Sequence, residues 1–328
     1  MEYDDAHWMD VALSEGRAVR RRSSPNPGVG AVVVTKHGAP FLGATEPPGG
    51  RHAEIVALED AGALAKDATL FVTLEPCAHS GRTGPCTEAI IEAGIARVVV
   101  ALEDPDAKVS GRGLSELRHA GIAVELGLGS EQAAEDMAAY LHHRRSGRPL
   151  VILKMAATLD GRTAAADGTS QWITSEESRR DVHELRAMCD AVLVGAGTVR
   201  ADDPALTARL DPPAELQPRR LVLGSIPEGA NVLPAESVGG GLVELIARLG
   251  EEGVLSLLVE GGASVAHEFI NLELVDRVVL YLAPAFMGGD DGRPLLAGPG
   301  APGIGALRRG RFLSVRGLAV EKREEVEI

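Results

Sequence analysis

Aromatic side chains are scarce: two Trp, three Tyr and five Phe among 328 residues. The core must therefore be built from Ala, Val, Leu and Ile, and an apolar fraction of 45% supplies enough of them for a globular protein. Cysteine is rarer still. Cys77, Cys86 and Cys189 are the only three, which argues against the disulfide framework of a small secreted domain. No apolar run approaches the ~20 residues of a membrane-spanning helix, so no membrane partner is expected. Lys and Arg number 33 against 47 Asp and Glu, a formal charge of −14. That balance argues against broad binding to nucleic acid, which depends on cations neutralising phosphates, yet it leaves room for a local basic pocket for one phosphate. Met1–Asp10 (MEYDDAHWMD) is acidic and lacks an apolar stretch. No signal peptide is expected, and the expected location is cytoplasmic.

What is present is an alternation of strand and helix patterns long enough for two domains. The first half predicts a helix over Asp4–Arg20 and a hairpin of Val29–Thr35 with Pro40–Ala44 across Lys36-His37-Gly38. A helix over Arg51–Ala61, a strand over Thr69–Leu74, a helix over Thr87–Ala93 stopped by Gly94 and a strand over Arg97–Leu102 follow. Leu114–Ala120 reads as a helix, Ile122–Leu126 as a strand and Glu131–Arg145 as an amphipathic helix ending in His142, His143, Arg144 and Arg145. Ser146-Gly147-Arg148-Pro149 reads as a linker, so the expected domains are 1–146 and 149–328. The second half predicts strands over Leu150–Met155, Ala191–Val194, Arg220–Leu223, Ser256–Val259 and Arg277–Leu282, and a hairpin within Phe312–Ile328. Its helices are expected from a capping box at Thr174–Glu177 to about Met188, over Val243–Leu249 and over Val265–Ile270. From Gly224 to Gly241 the periodicity is weak and assigns no element. Strands separated by helices imply α/β sheets covered on both faces.

The strongest chemistry lies in the first half. His52-Ala53-Glu54 opens a helix, Pro76-Cys77 follows a strand, and Pro85-Cys86 opens another helix. One imidazole and two thiolates make a catalytic zinc set with one position left for water, and helix N-termini favour the thiolate form. Glu54 stands two residues beyond His52, close enough to move a proton between an activated water and a leaving amine without ligating the metal. Taken singly, a His-x-Glu is usually a solvated helix face, and two cysteines are usually unrelated thiols or a structural zinc pair. Their order, the preceding prolines and the strand-to-helix junctions favour the catalytic reading. Cys189 precedes an apolar strand with no partner motif and reads as a core residue.

His52-Ala53-Glu54, followed by Thr73-Leu74-Glu75-Pro76-Cys77-Ala78-His79-Ser80-Gly81-Arg82-Thr83-Gly84-Pro85-Cys86, resembles the bifunctional riboflavin-biosynthesis deaminase/reductase family. So do Pro25-Asn26-Pro27-Gly28-Val29-Gly30, Asp104-Pro105 with Gly111-Arg112-Gly113, Lys154–Thr163 (KMAATLDGRT), Ser170-Gln171-Trp172-Ile173-Thr174, Gly197–Arg209 and Val259-Glu260-Gly261-Gly262. The resemblance implies a cytidine-deaminase-like three-layer α/β/α domain and a dihydrofolate-reductase-like α/β domain. It implies zinc-dependent hydrolytic deamination of a diaminopyrimidinone ribosyl 5'-phosphate, then NADPH-dependent reduction of the ribosyl chain to ribityl, in a homo-oligomer with one Zn2+ per chain. By that analogy His52, Cys77 and Cys86 hold zinc, Glu54 is the general acid/base, and Asn26, His79, Arg82 and Asp104 line the deaminase pocket. In the second domain Lys154 and Asp202 are catalytic. Ser170, Arg186, Leu206, Arg209 and Glu260 meet substrate. Ala156, Trp172, Thr198, Asp202, Ser225, Gly262, Ala263, Ser264, Val265, Ala266, His267 and Glu268 meet cofactor.

Read without the resemblance, the second half says less. Ala191–Gly197 and Val259–Ser264 are strands running into glycine turns whose backbone N–H groups could meet phosphate, but neither carries a full dinucleotide fingerprint. Thr45 and Asp106 depart from the family pattern, which has His and Asn at those places. The stretch after Leu223 looks compressed, as if a strand were shortened or missing, and this leaves an alternative: an active deaminase with a degenerate, non-reducing second domain.

Overall fold

The structure, a computed structural model, describes residues 3–78, 84–106, 109–318 and 320–328. The chain divides into two compact units, Met1–Gly147 and Arg148–Ile328.

In the first unit the elements run α1 (Asp5–Ser23), β1 (Gly30–Val34), β2 (Pro40–Ala44), α2 (Ala53–Ala61), β3 (Thr69–Val72), α3 (Cys86–Glu92), β4 (Arg97–Val100), α4 (Arg112–His119), β5 (Ala123–Leu126), α5 (Ser130–Asp136) and α6 (Ala138–Ser146). Among the described residues the strands form one sheet in the order β2-β1-β3-β4-β5. β1 is antiparallel to both neighbours, and β3, β4 and β5 are parallel. Two glycines explain how helices cover both faces. A Cβ on Gly30 would run into the Ala12 carbonyl of α1, and one on Gly43 would run into the Ala53 carbonyl of α2. Gly30 pairs with Ala44 and Gly43 with Ala31 across the hairpin. Cross-strand partners share a face and neighbours along a strand alternate, so α1 and α2 pack on opposite faces. The fully buried Ala31, Val32, Val33, Leu70, Val72 and Val98 fill the sheet, each buried Val or Leu contributing roughly 1.5–3 kcal/mol. The expected helix over Glu131–Arg145 is two helices, α5 and α6, separated at Met137, whose backbone leaves the helical region (φ −106°, ψ 16°).

The second unit runs β6 (Leu150–Thr158), β7 (Arg162–Ala164), α7 (Glu176–Met188), β8 (Ala191–Gly195), α8 (Ala196–Asp202), β9 (Arg219–Leu223), β10 (Glu236–Val238), α9 (Leu242–Glu251), β11 (Ser256–Val259), α10 (Ala263–Asn271), β12 (Arg277–Ala283), β13 (Arg293–Pro294), β14 (Arg311–Leu318) and β15 (Glu321–Glu327). Its main sheet has the order β10-β9-β8-β11-β6-β12-β15-β14. The first six strands are parallel and the last two form an antiparallel terminal hairpin. The chain leaves β6 outward through β8, β9 and β10, then returns to insert β11 beside β6. In an open parallel sheet, ligands gather beyond the carboxyl ends of the strands near such a reversal.

One expectation is narrowed and one corrected here. Of the strand expected to be compressed or missing after Leu223, a short form is present: β10, three residues parallel to β9, too short to show a period. The cap of α7 is Ser175, not Thr174. The Ser175 hydroxyl accepts the Ser178 amide at 3.3 Å, and buried Glu321 of β15 accepts the Ser175 amide at 2.6 Å. α8 and the short β7–β13 pair went unread in the sequence.

Candidate active sites

His52 is the N-cap of α2, Cys77 follows β3, and Cys86 is the first residue of α3. Two strand-to-helix junctions, β2–α2 and β3–α3, thus bring their donor atoms together. His52 Nδ1 lies 3.2 Å from Cys86 Sγ and 3.6 Å from Cys77 Sγ, and the two sulfurs are 3.4 Å apart. Metal–ligand distances of ~2.0–2.3 Å around a tetrahedral ion place neighbouring donors ~3.4–3.8 Å apart, so the triangle has the dimensions of a zinc site. Among the described residues no fourth His, Cys, Asp or Glu joins the group. Three protein ligands leave one position open, as in catalytic rather than structural zinc. The Cys86 amide donates to Cys77 Sγ at 3.4 Å. The hydrogen bond from the Cys86 thiol, helped by His52, holds Cys77 far below the usual thiol range against the cost of burial. A thiolate ligand is therefore ready.

Glu54, on the first turn of α2, faces the same cavity of about 300 Å³ and is almost wholly buried. Burial, with the Cys77 charge adding to it, pushes its carboxyl up to about 7. A group that binds and releases a proton near neutrality suits acid–base work. Asn26 and Asp104 line this cavity as expected. His79 and Arg82 lie outside the described residues.

Sequence reasoning missed what holds the pocket's rear wall. Glu75, next but one to Cys77, is buried and accepts four backbone N–H groups: Gly111 at 2.9 Å and Asp104 at 3.2 Å on Oε2, Gly113 at 2.9 Å and Leu114 at 3.3 Å on Oε1. These include orphan donors of the first turn of α4, whose N-cap, Gly111, has no side chain to offer. A carboxylate here satisfies them from a strand end distant in sequence. Tyr140 of α6 donates to Asp104 at 3.1 Å, and the Arg144 guanidinium lies 5.1 Å from the Tyr140 ring centroid. Tyr140 was not singled out in the sequence, and Arg144 was read only as part of the basic end of a helix, because nothing in α6 shows which neighbour it meets. The departures find local explanations: Thr45 is buried with its hydroxyl on the Val29 backbone, and Asp106 stands 3.8 Å from Arg144.

In the second unit two adjoining cavities, of about 530 and 230 Å³, share Lys154, Ala156, Ser170, Thr198, Asp202 and Glu260. The larger adds Trp172, Arg186, Leu206 and Arg209; the smaller adds Gly262 and Ala263 at the start of α10. The predicted catalytic pair, Lys154 and Asp202, thus stands where the two spaces meet. Burial pulls Lys154 below its ordinary value although Glu260 opposes the shift. Glu260 receives Arg186 through Nε at 2.5 Å and Nη2 at 2.9 Å. The guanidinium fork of Arg186, expected to meet substrate, is therefore engaged by Glu260, while Arg209, which lines the same cavity, is exposed. Ser225, Ser264, Val265, Ala266, His267 and Glu268 line neither cavity. Ala266 packs in the core with Leu257 and Val259, and Val265 packs so closely that a Cβ on Gly261 would stand 2.5 Å from it. Sequence reasoning missed Tyr281, which lines the larger cavity with its ring centroid 5.7 Å from Lys154 Nζ.

Comparison with known proteins falls on both units. The family model described as cytidine and deoxycytidylate deaminase zinc-binding region matches residues 2–102, and that described as RibD C-terminal domain matches residues 149–319. The riboflavin biosynthesis protein RibD of Bacillus amyloliquefaciens is 41% identical over 330 residues, covering 90% of this chain and 89% of that protein. RibD of Escherichia coli is 38% identical over 353 residues, covering 95% and 96%. Acinetobacter baumannii RibD superposes with a TM-score of 0.89 at 34% identity over 98% of both chains. The Thermotoga maritima crystal structure of a diaminohydroxyphosphoribosylaminopyrimidine deaminase/5-amino-6-(5-phosphoribosylamino)uracil reductase gives 0.88 at 33% over the same shares.

Proposed function

The chain belongs to the RibD family, the bifunctional zinc-dependent deaminases and NADPH-dependent reductases of riboflavin biosynthesis, and on that premise we propose how its own residues divide the two reactions. The alternative of a degenerate second domain has no support.

The substrate of the first unit is proposed to be the phosphorylated diaminopyrimidine after which the Thermotoga relative is named. His52, Cys77 and Cys86 hold the zinc, which supplies a Lewis acid that brings the pKa of water toward neutrality. Glu54 accepts a proton from the attacking water at its carboxylate oxygen and returns it to the departing amino group. The ring C–N bond breaks as the C–O bond forms, and ammonia leaves. Asn26 and Asp104, with His79 and Arg82, orient the ring and its substituents. The observation that carries this reading is the ligand triangle with the buried Glu54 carboxyl in the same cavity.

In the second unit NADPH supplies the two electrons. Lys154, made more acidic by burial, would donate a proton to the ribosyl ring oxygen as its C–O bond breaks and a C–H bond forms at that carbon from the hydride, and Asp202 would position the sugar at the junction of the two cavities. Ser170, Leu206 and Arg209 hold substrate, with Glu260 fixed by Arg186. Ala156, Trp172, Thr198, Gly262 and Ala263 receive the cofactor.

A homo-oligomeric assembly is proposed from the exposed apolar residues Phe286, Ile304, Phe312 and Val315, the last two on the edge strand β14. A cytoplasmic location is proposed because a reducing compartment preserves the thiolates of such a site. The test is incubation of the purified protein with the phosphorylated diaminopyrimidine. Mass spectrometry should show exchange of one amine for oxygen without NADPH, and gain of two further hydrogens with it. An unchanged substrate would overturn the reading.

A further inference from the structure

The deaminase cavity is acidic. Glu54, Glu75, Asp104 and Asp106 all line it, yet its substrate carries a phosphate of about −2 near neutral pH. Among the described lining residues Arg144 is the one permanent cation. Its placement is not that of a solvated surface arginine. The guanidinium stacks on Tyr140, which is itself buried and anchored through its hydroxyl to Asp104. The Arg144 side chain keeps about a third of its surface exposed (32%), which sets it at the cavity's border with solvent.

Its donors are also uncommitted. The contact to Asp106 is 3.8 Å long, against ~2.7–2.9 Å for a charge-assisted hydrogen bond. Among the described residues the guanidinium makes no hydrogen bond. A planar fork of five donors, held by stacking and left unsatisfied beside a cavity, is the arrangement that receives a phosphate bidentately. The nearby carboxylate lowers the cost of holding that cation in place while the phosphate is absent.

We propose that Arg144 binds the phosphate of the pyrimidine substrate and makes the first unit select phosphorylated over dephosphorylated pyrimidine. This rests on the deaminase reading above. The pyrimidine ring then lies inward against Asn26 and Asp104 with its amino group toward Glu54, while the ribosyl phosphate extends to the border at α6.

The test compares wild type, Arg144→Gln and Arg144→Lys, each checked for zinc content, on the phosphorylated diaminopyrimidine and on its dephosphorylated counterpart. Loss of charged hydrogen bonds of ~1.5–3 kcal/mol raises KM for the phosphorylated substrate about 10- to 100-fold in Arg144→Gln, with kcat little altered. Lys recovers part of the loss, and the proteins differ little on the dephosphorylated compound. An equal loss on both substrates, or no loss, would overturn the proposal. Calorimetric titration with inorganic phosphate is a separate readout. Arg144→Gln should lose one phosphate site that wild type shows, and an unchanged isotherm would also overturn it. Failure of wild type to deaminate either compound, with that phosphate difference intact, would sink the deaminase reading and leave the phosphate site standing.

Discussion

Replacing Glu75 with Gln tests how the deaminase pocket is held together. The carboxylate accepts four amide N–H groups at 2.9–3.3 Å in a buried position. A glutamine presents one acceptor oxygen and one NH2 group. Two of the four amides keep an acceptor, now uncharged, and the other two face a donor. Each lost hydrogen bond to a charged group costs ~1.5–3 kcal/mol, and the negative charge at the N-terminus of α4 is lost as well. The expected destabilisation is ~3–5 kcal/mol, a large part of the roughly 5–15 kcal/mol that holds a domain folded. The chain has only two tryptophans, and Trp8 lies in α1. In a Trp172→Phe background, urea unfolding followed by fluorescence therefore reports the first unit. With zinc held at a fixed concentration and a slope of about 2 kcal/mol per M, the midpoint should fall by about 2 M. A fall below about 0.3 M would refute the reasoning. The loss should reach the site too, because a Cβ on Gly113 would run into the Pro76 carbonyl. The start of α4 is thus packed directly on the turn that delivers Cys77.

Glu54→Gln should retain zinc while deamination falls by ~100-fold or more, read by metal analysis and turnover. In zinc-stripped protein its effect on stability depends on pH. Folding raises this carboxyl from its ordinary 4.5 to about 7, so the folded state binds the extra proton and stability falls as pH rises through that interval. At about 1.4 kcal/mol per pH unit, the Gln variant should be about 3 kcal/mol more stable than the parent at pH 8 and equal to it at pH 4. A pH-independent difference would count against burial as the cause. Asp202→Ala should abolish NADPH oxidation dependent on deaminated substrate and leave deamination and zinc content intact. Loss of both activities in a folded protein would contradict separate sites.

What the sequence made legible is what local patterning encodes. The hairpin of β1 and β2, the strand-to-helix junctions and the order of the metal ligands follow from short motifs, and the structure places each as expected. What stayed hidden depends on partners far along the chain. Glu75 meets amides 29 to 39 residues away, and nothing in Glu-Pro-Cys says that its carboxylate caps a later helix. Ser175 rather than Thr174 caps α7 because Glu321, 146 residues on, fixes that serine. A Thr-x-x-Glu spacing cannot register such a competitor. β10 is three residues long, shorter than one detectable alternation. Arg186 was legible as a basic residue but not as the partner of Glu260, 74 residues away, and that pairing occupies the fork expected to meet substrate.

The two sites use burial in opposite directions. Beside the His52, Cys77 and Cys86 cluster, burial raises the acid Glu54 so that it holds a proton near neutrality, which suits the proposed hydrolytic role, in which the same group would take a proton and give it back. At the junction of the reductase cavities, burial lowers the base Lys154, and in the role proposed for it that would make it give up a proton more readily as a sugar C–O bond opens. Both shifts would be blunted by a close unshielded counter-charge. In the second unit, burial alone would raise Glu260, but Arg186 holds it ionised and below its ordinary value. Its charge is then shared between Arg186, at hydrogen-bond distance, and Lys154, which it reaches through space. An Arg186→Leu change would free that carboxylate to pair with Lys154 alone. The lysine would be held charged to higher pH and become a poorer proton donor, so that under the proposed role of Lys154 the effect of Arg186 on the reaction would run through Glu260.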